Sequence, residues 1–318
     1  MAQHPELARA QALAAAGQVR EGIEIVHRLA GTGDPDALFQ LADLFWRGEV
    51  IGQDMPQARR IFAMAEAAGN AMARRAITNL MANGTAGPRD WQGALARLRS
   101  EAPYDQLRGQ MWALIQAMAL TPDGDPRVLP AVRELSEAPA VKLFPGAFTR
   151  PECEYLMRVA EPSFEESYVV DSQGGRMRDP VRTSDGSTMH LLIEDPATHA
   201  LNRRLAALTG TQFDQGEPLQ ILRYRPGQEY RRHLDWIIDD NPRTMTALVY
   251  LNQDYDGGET EFPKAGLKIR GETGDVLVFR NAGPDGKADP LSEHAGLPVT
   301  QGTKYLASRW IRERTHAP

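Results

Sequence analysis

Cysteine is all but missing from this sequence: Cys153 stands alone among 318 residues. No disulfide can close within the chain, so nothing in it calls for an oxidising compartment. Its setting, "PECEYLM", reads as the first turn of an amphipathic helix, where a lone cysteine is a small buried residue and not a nucleophile. No run of eighteen apolar residues occurs, so no membrane-spanning helix is expected. The opening "MAQHPELARAQALAAAGQVREG" has no basic stretch ahead of an apolar one; no secretory signal is read there, and the cytoplasm is the expected location. An excess of positive charge is missing too. Lysine and arginine total 36 against 42 acidic residues, and the net charge of −6 supplies no field for gathering phosphate, which argues against a nucleic-acid partner.

What is present suits two globular domains, since 42% apolar residues can build a sizeable core. β-Branched residues are scarce in the first 120 positions, where Ala, Leu, Arg and Gln recur at helical spacing. There the sequence repeats with a period of 36: Gly33 recurs as Gly69, Gly48 as Gly84, Asp54 as Asp90 and Ala58 as Ala94. Repeats of this length are helix–turn–helix units that bury their apolar faces by stacking on neighbours. The copy "ALFQLADLFWRGEVIGQDMPQARRIFAMAEAAGN" resembles a Sel1-like repeat, a relative of the tetratricopeptide repeat. No acids, bases or metal ligands cluster in residues 1–120, so the expected role is docking of a protein partner or dimerisation.

The grammar then changes. Leu120 to Phe148 holds five prolines, with one short helical signal at Ala131–Glu137, and residues 121–140 read as a linker. Beyond it come short β-type runs with turn residues between them: "FEESYVV", "STMHLLI", "PLQILRY", "TMTALVYL", "GLKI", "DVLVF" and "TKYLASRWI". Helical patterns interrupt at Arg150–Val159 and Ala197–Leu208. Many short strands with Gly/Pro turns predict a barrel or a two-sheet jelly roll.

Within "EYRRHLDWII", His233 and Asp235 stand two residues apart, and on a strand such residues share a face. Two imidazoles and one carboxylate suit non-haem Fe(II) and leave coordination positions open. A third ligand must come from elsewhere among the seven histidines, and His294 sits near the last strands. Lys304, ten residues on, lies in a β-type run, and a buried ammonium there needs an anionic partner such as a dicarboxylic acid.

These residues stand within "LQILRYRPGQEYRRHLD", "TALVYLNQDYDGGETEFP" and "GDVLVFRNAGPDGKADPLSEHAGLPVTQGTKYLASRWIRE". From about Val141 to Arg312 the chain resembles the prolyl 4-hydroxylase branch of the 2-oxoglutarate/Fe(II) dioxygenases. The resemblance implies a two-domain α+β chain: an N-terminal helical repeat domain, and a C-terminal double-stranded β-helix (jelly roll) with flanking helices over 141–318. It implies that His233, Asp235 and His294 bind Fe(II). Lys304 would hold the distal carboxylate of 2-oxoglutarate, with Tyr224 hydrogen-bonding the same group and Thr246 and Tyr230 lining the cosubstrate pocket. Arg182, in "RTSDG", falls in a loop resembling a lid over the substrate, and Trp236 is bulky beside the ligands. The implied reaction consumes 2-oxoglutarate and O2, with ascorbate as reductant, and hydroxylates a C–H bond, of a prolyl residue in a peptide or protein, releasing succinate and CO2. A free amino acid, another side chain or a small metabolite stays open as substrate. The remaining alternative is a repeat-based interaction protein with an inactive oxygenase fold; the intact ligand set and Lys304 count against it.

Overall fold

A computed structural model of the chain describes residues 4–170, 176–178 and 181–316. The chain divides into two units, Met1–Ala113 with Leu191–His199, and Leu114–His190 with Ala200–Pro318. No helix among the described residues is long and apolar enough to cross a membrane.

Seven helices come first: α1 (Pro5–Ala15), α2 (Val19–Gly31), α3 (Pro35–Arg47), α4 (Met55–Ala67), α5 (Ala71–Asn83), α6 (Trp91–Glu101) and α7 (Gln106–Ala117). The 36-residue period of the sequence is a period of helix ends. Asp34 and Asn70 cap the N-termini of α3 and α5 with side-chain oxygens, as Asp54 and Asp90 do for α4 and α6. Gly48 and Gly84 close α3 and α5 in the left-handed conformation. Between the caps, Leu38, Leu41, Phe62, Ala65, Ile77 and Leu80 form one buried cluster. A Cβ on Gly48 would sit 2.5 Å from Cβ of Gln53, and φ there is +69°. Gly48→Ala is therefore expected to cost this unit on the order of 1–3 kcal/mol, read as a lowered thermal midpoint.

Leu191–Ile193, expected to continue a strand from Ser187, forms a turn instead. The amides of Asn79 and Asn83 on α5 donate to the carbonyls of Leu192 and Leu191, which satisfies that backbone without a ladder. Further along the same stretch, Glu194 and His199 form a buried pair at 2.7 Å.

The second unit begins with β1 (Arg133–Glu137) and β2 (Ala140–Phe144). The helical signal at Ala131–Glu137 thus falls on a strand, within the proline-rich stretch read as a linker, because pairing with β2 overrides local propensity. There follow α8 (Arg150–Ala160), β3 (Glu165–Glu166), β4 (Tyr168–Val170), β5 (Arg176–Arg178), β6 (Asp185–Met189), α9 (Pro196–Thr209), β7 (Leu219–Tyr224) and β8 (Tyr230–His233). The last run is β9 (Arg243–Tyr250), β10 (Tyr255–Gly257), β11 (Thr260–Phe262), β12 (Leu267–Ile269), β13 (Val276–Arg280), β14 (His294–Gly296), β15 (Val299–Gly302) and β16 (Lys304–Arg312). Cys153 is buried on α8, and burial pushes its thiol up to about 12, which keeps it unreactive.

An eight-stranded antiparallel sheet in the order β1-β2-β13-β9-β16-β7-β6-β3 packs against a four-stranded one, β12-β11-β14-β8. Leu222, Leu248, Leu277 and Phe279 of the large sheet share a core with Phe262 and Ile269 of the small one. This is the expected jelly roll. β4 and β5 form a separate antiparallel pair, and of the expected lid loop "RTSDG" the last two residues, Asp185 and Gly186, instead open β6.

Candidate metal centre

Antiparallel pairing of β8 and β14 sets His294 directly opposite His233. β8 stops at His233, so Asp235 is presented from the bend that follows and not from the strand itself. The two-residue spacing still delivers both to one side, with Leu234 turned outward. One donor atom from each of His233, Asp235 and His294 lies within 4.8 Å of the others. His233 Nε2 is 3.4 Å from Asp235 Oδ1, and His294 Nε2 is 3.6 Å from Asp235 Oδ2.

Backbone carbonyls orient both rings. His233 Nδ1 is 2.8 Å from the Arg231 oxygen, and His294 Nδ1 is 3.0 Å from that of Ser292. A carbonyl only accepts, so each Nδ1 carries a hydrogen and each Nε2 faces inward. Burial pushes the His294 imidazole down to about 4, against the opposing pull of Asp235, so it is neutral at pH 7. Burial also opposes ionisation of Asp235, yet the imidazoles of His294 and His233 and the Thr246 hydroxyl hold its carboxyl well below the usual range. His233 Nε2 is buried with no hydrogen-bond partner. Two imidazole nitrogens and a carboxylate therefore converge within reach of a single divalent cation. The donor set fits Fe(II).

Tyr224, Leu248, Lys304, Leu306 and Trp310 line the cavity that adjoins these ligands. Lys304 is 2% exposed and stands opposite Tyr224 in the pairing of β16 with β7. Its Nζ donates to the Gly258 carbonyl at 2.7 Å, and among the described residues no carboxylate comes within ion-pairing distance. Burial pushes Lys304 down to about 8, partly offset by the charge of Glu259. Gly258 is at φ +69°, and a Cβ there would press to 3.2 Å from Lys304 Cδ, so glycine keeps the path of the lysine open. Burial pushes the Tyr224 hydroxyl up to about 12, so it remains a proton donor.

Residues 219–312 match the family model of the 2OG-Fe(II) oxygenase superfamily. Probable prolyl 4-hydroxylase 3 of Arabidopsis thaliana is 34% identical over 203 residues, covering 56% of this chain and 70% of that protein. Prolyl 4-hydroxylase 1 of the same plant is 33% identical over 201 residues, covering 57% and 71%. The chain belongs to the prolyl 4-hydroxylase family of 2-oxoglutarate/Fe(II)-dependent oxygenases. Among solved structures, the viral collagen prolyl hydroxylase of Paramecium Bursaria Chlorella virus-1, as its 2OG complex, aligns with a TM-score of 0.42 at 27% identity, over 54% of this chain and 95% of that one. The family's chemistry requires Fe(II), 2-oxoglutarate and O2.

In this oxygenase the remaining expected site residues take varied places. Tyr230 lines the cavity and stacks flat on His233, ring centroids 3.5 Å apart. Arg182 stands 5.7 Å from the Tyr230 ring and hydrogen-bonds Gln220; it does not itself line the cavity. Trp236 is half-buried, its indole nitrogen 3.4 Å from the Gly286 carbonyl, and it too is off the cavity wall. Thr246, expected to line the cosubstrate pocket, is fully buried away from it, and its hydroxyl donates to Asp235 Oδ2 at 2.6 Å. Sequence reasoning missed Ser308, although the two-residue alternation of β16 puts it on the cavity face with Lys304, Leu306 and Trp310. It also missed Asn281, which donates to Thr246 and carries no local signal.

Proposed function

We propose that this oxygenase hydroxylates prolyl residues of a peptide or protein, releasing succinate and CO2, with ascorbate as reductant. The observation that carries the reading is one cavity lined both by a three-ligand set and by a buried lysine that, among the described residues, has no carboxylate within ion-pairing distance. In this reading His233, Asp235 and His294 hold Fe(II), Lys304 binds the distal carboxylate of 2-oxoglutarate, and the Tyr224 hydroxyl donates to the same group. Bound iron, with 2-oxoglutarate and O2, supplies an oxidant able to hydroxylate a C–H bond. The protein's part is positional: carbonyls of Arg231 and Ser292 orient the imidazoles, and Leu248, Leu306 and Trp310 exclude water. A prolyl substrate is supported by the curated relatives, prolyl 4-hydroxylases matched over 70–71% of their length.

Mass spectrometry of proline-rich peptides incubated with the protein, Fe(II), 2-oxoglutarate and ascorbate tests this. A gain of one oxygen on proline, matched by succinate, is the expected outcome. Succinate formed with every proline unmodified would move the substrate to another class.

A further inference from the structure

We propose that Asn281 is a positioning residue for the metal: it sets the direction of a buried hydrogen-bond relay, Asn281–Thr246–Asp235, that orients the carboxylate ligand. The inference rests on the metal-binding reading above. Asn281 and Thr246 are fully buried and Asp235 is 4% exposed, so no solvent competes for these bonds. An ionised carboxylate only accepts, so the 2.6 Å contact between Thr246 Oγ1 and Asp235 Oδ2 has the hydroxyl as donor. Its proton spent, Thr246 Oγ1 can offer only lone pairs on its other side. Asn281 must then meet it with Nδ2, and does so at 2.9 Å.

The amide orientation is not chosen at the other end, because Asn281 Oδ1 is buried without any partner. Leaving that acceptor unsatisfied costs free energy, so the relay has a claim on the side chain that packing alone does not explain. The backbone at Asn281 is pinned on both sides, its N–H donating to the Thr244 carbonyl at 2.8 Å and its carbonyl accepting from Asp289 at 2.9 Å. The amide is thus delivered from a fixed point just beyond β13. With Oδ2 tied by Thr246, Asp235 presents Oδ1 as its free oxygen, and a carboxylate that gives a metal one oxygen leaves more coordination positions open than one that gives two.

The test is a Co(II) titration of the full chain, followed through the visible absorption of the bound ion, whose band reports coordination number. Wild-type protein is expected to bind. Asn281→Ala and Thr246→Val should each weaken binding by roughly 10–100-fold and shift the band. The double variant should be no worse than Thr246→Val, and Thr246→Ser, which keeps the hydroxyl, should restore binding. Asn281→Asp separates the relay from simple electrostatics. An added negative charge alone would tighten Co(II), whereas an acceptor at that position draws the Thr246 proton away from Asp235, so the relay predicts weaker binding. Because it keeps the shape of asparagine, it carries the test even if the alanine variant fails to fold. Wild-type affinity and band in Asn281→Ala, additive losses in the double variant, or tighter binding in Asn281→Asp would each overturn the relay. Failure of wild-type protein to bind Co(II) would instead overturn the metal reading beneath it.

Discussion

Asp235→Ala is expected to abolish succinate formation from 2-oxoglutarate and to lower metal affinity by roughly 10²–10⁴-fold, the equivalent of the ~3–5 kcal/mol lost when one partner of a buried charged pair is removed. Asp235 is the single anionic donor of the three and is 4% exposed, so no solvent ligand replaces it at equal cost. The two imidazoles would be left to hold the cation alone, each with its Nε2 still pointed inward by the Arg231 and Ser292 carbonyls. Thr246 would lose its acceptor as well. Turnover and metal titration measured together decide the matter, with circular dichroism to confirm folding. Turnover at the wild-type rate would remove Asp235 from the site, and the same reading applies to His233→Ala and His294→Ala.

Lys304→Ala is expected to act on the cosubstrate and not on the metal. Removing a buried cation from beneath a carboxylate costs on the order of 2–5 kcal/mol, so the 2-oxoglutarate concentration needed for half-maximal rate should rise roughly 30- to several-thousand-fold while metal affinity stays near wild type. A pH signature accompanies it. Lys304 titrates at about 8 in the free protein, below its ordinary value because burial disfavours the charge. The ammonium is present below that pH and is lost as pH rises through it, so 2-oxoglutarate affinity should hold up to about pH 8 and then fall about tenfold per unit. In Lys304→Ala this inflection should vanish. A KM profile across that range that is unchanged by the substitution would rule the lysine out as the carboxylate partner.

How far the sequence reached follows from the range over which each residue acts. His233 and Asp235 were legible because two-residue spacing is a local property of strands, and it survived even though β8 ends at His233, two residues short of Asp235. His294 was different. Its place opposite His233 is set by strand pairing across some sixty residues of chain, which no local pattern states, so it entered through family resemblance. β1 and the Leu191–Ile193 turn were misread for the converse reason: partners distant in sequence, β2 in one case and α5 amides in the other, overrode local preference. Thr246 was read as pocket-lining and Asn281 not at all, since a buried relay is made by the pairing of β13 with β9 and not by either strand alone.

The helical unit is not one length of chain, since Leu191–His199 is counted with it. It cannot be traded as a cassette. A deletion ending at residue 113 would leave those nine residues in the remnant, and the excised helices would carry Asn79 and Asn83 without the carbonyls they donate to. A transplant of the repeats onto another oxygenase would have to bring along a second, internal insertion. For this chain, gain or loss of the helical unit takes two coordinated changes in the coding sequence, a barrier that a unit appended at one end does not face.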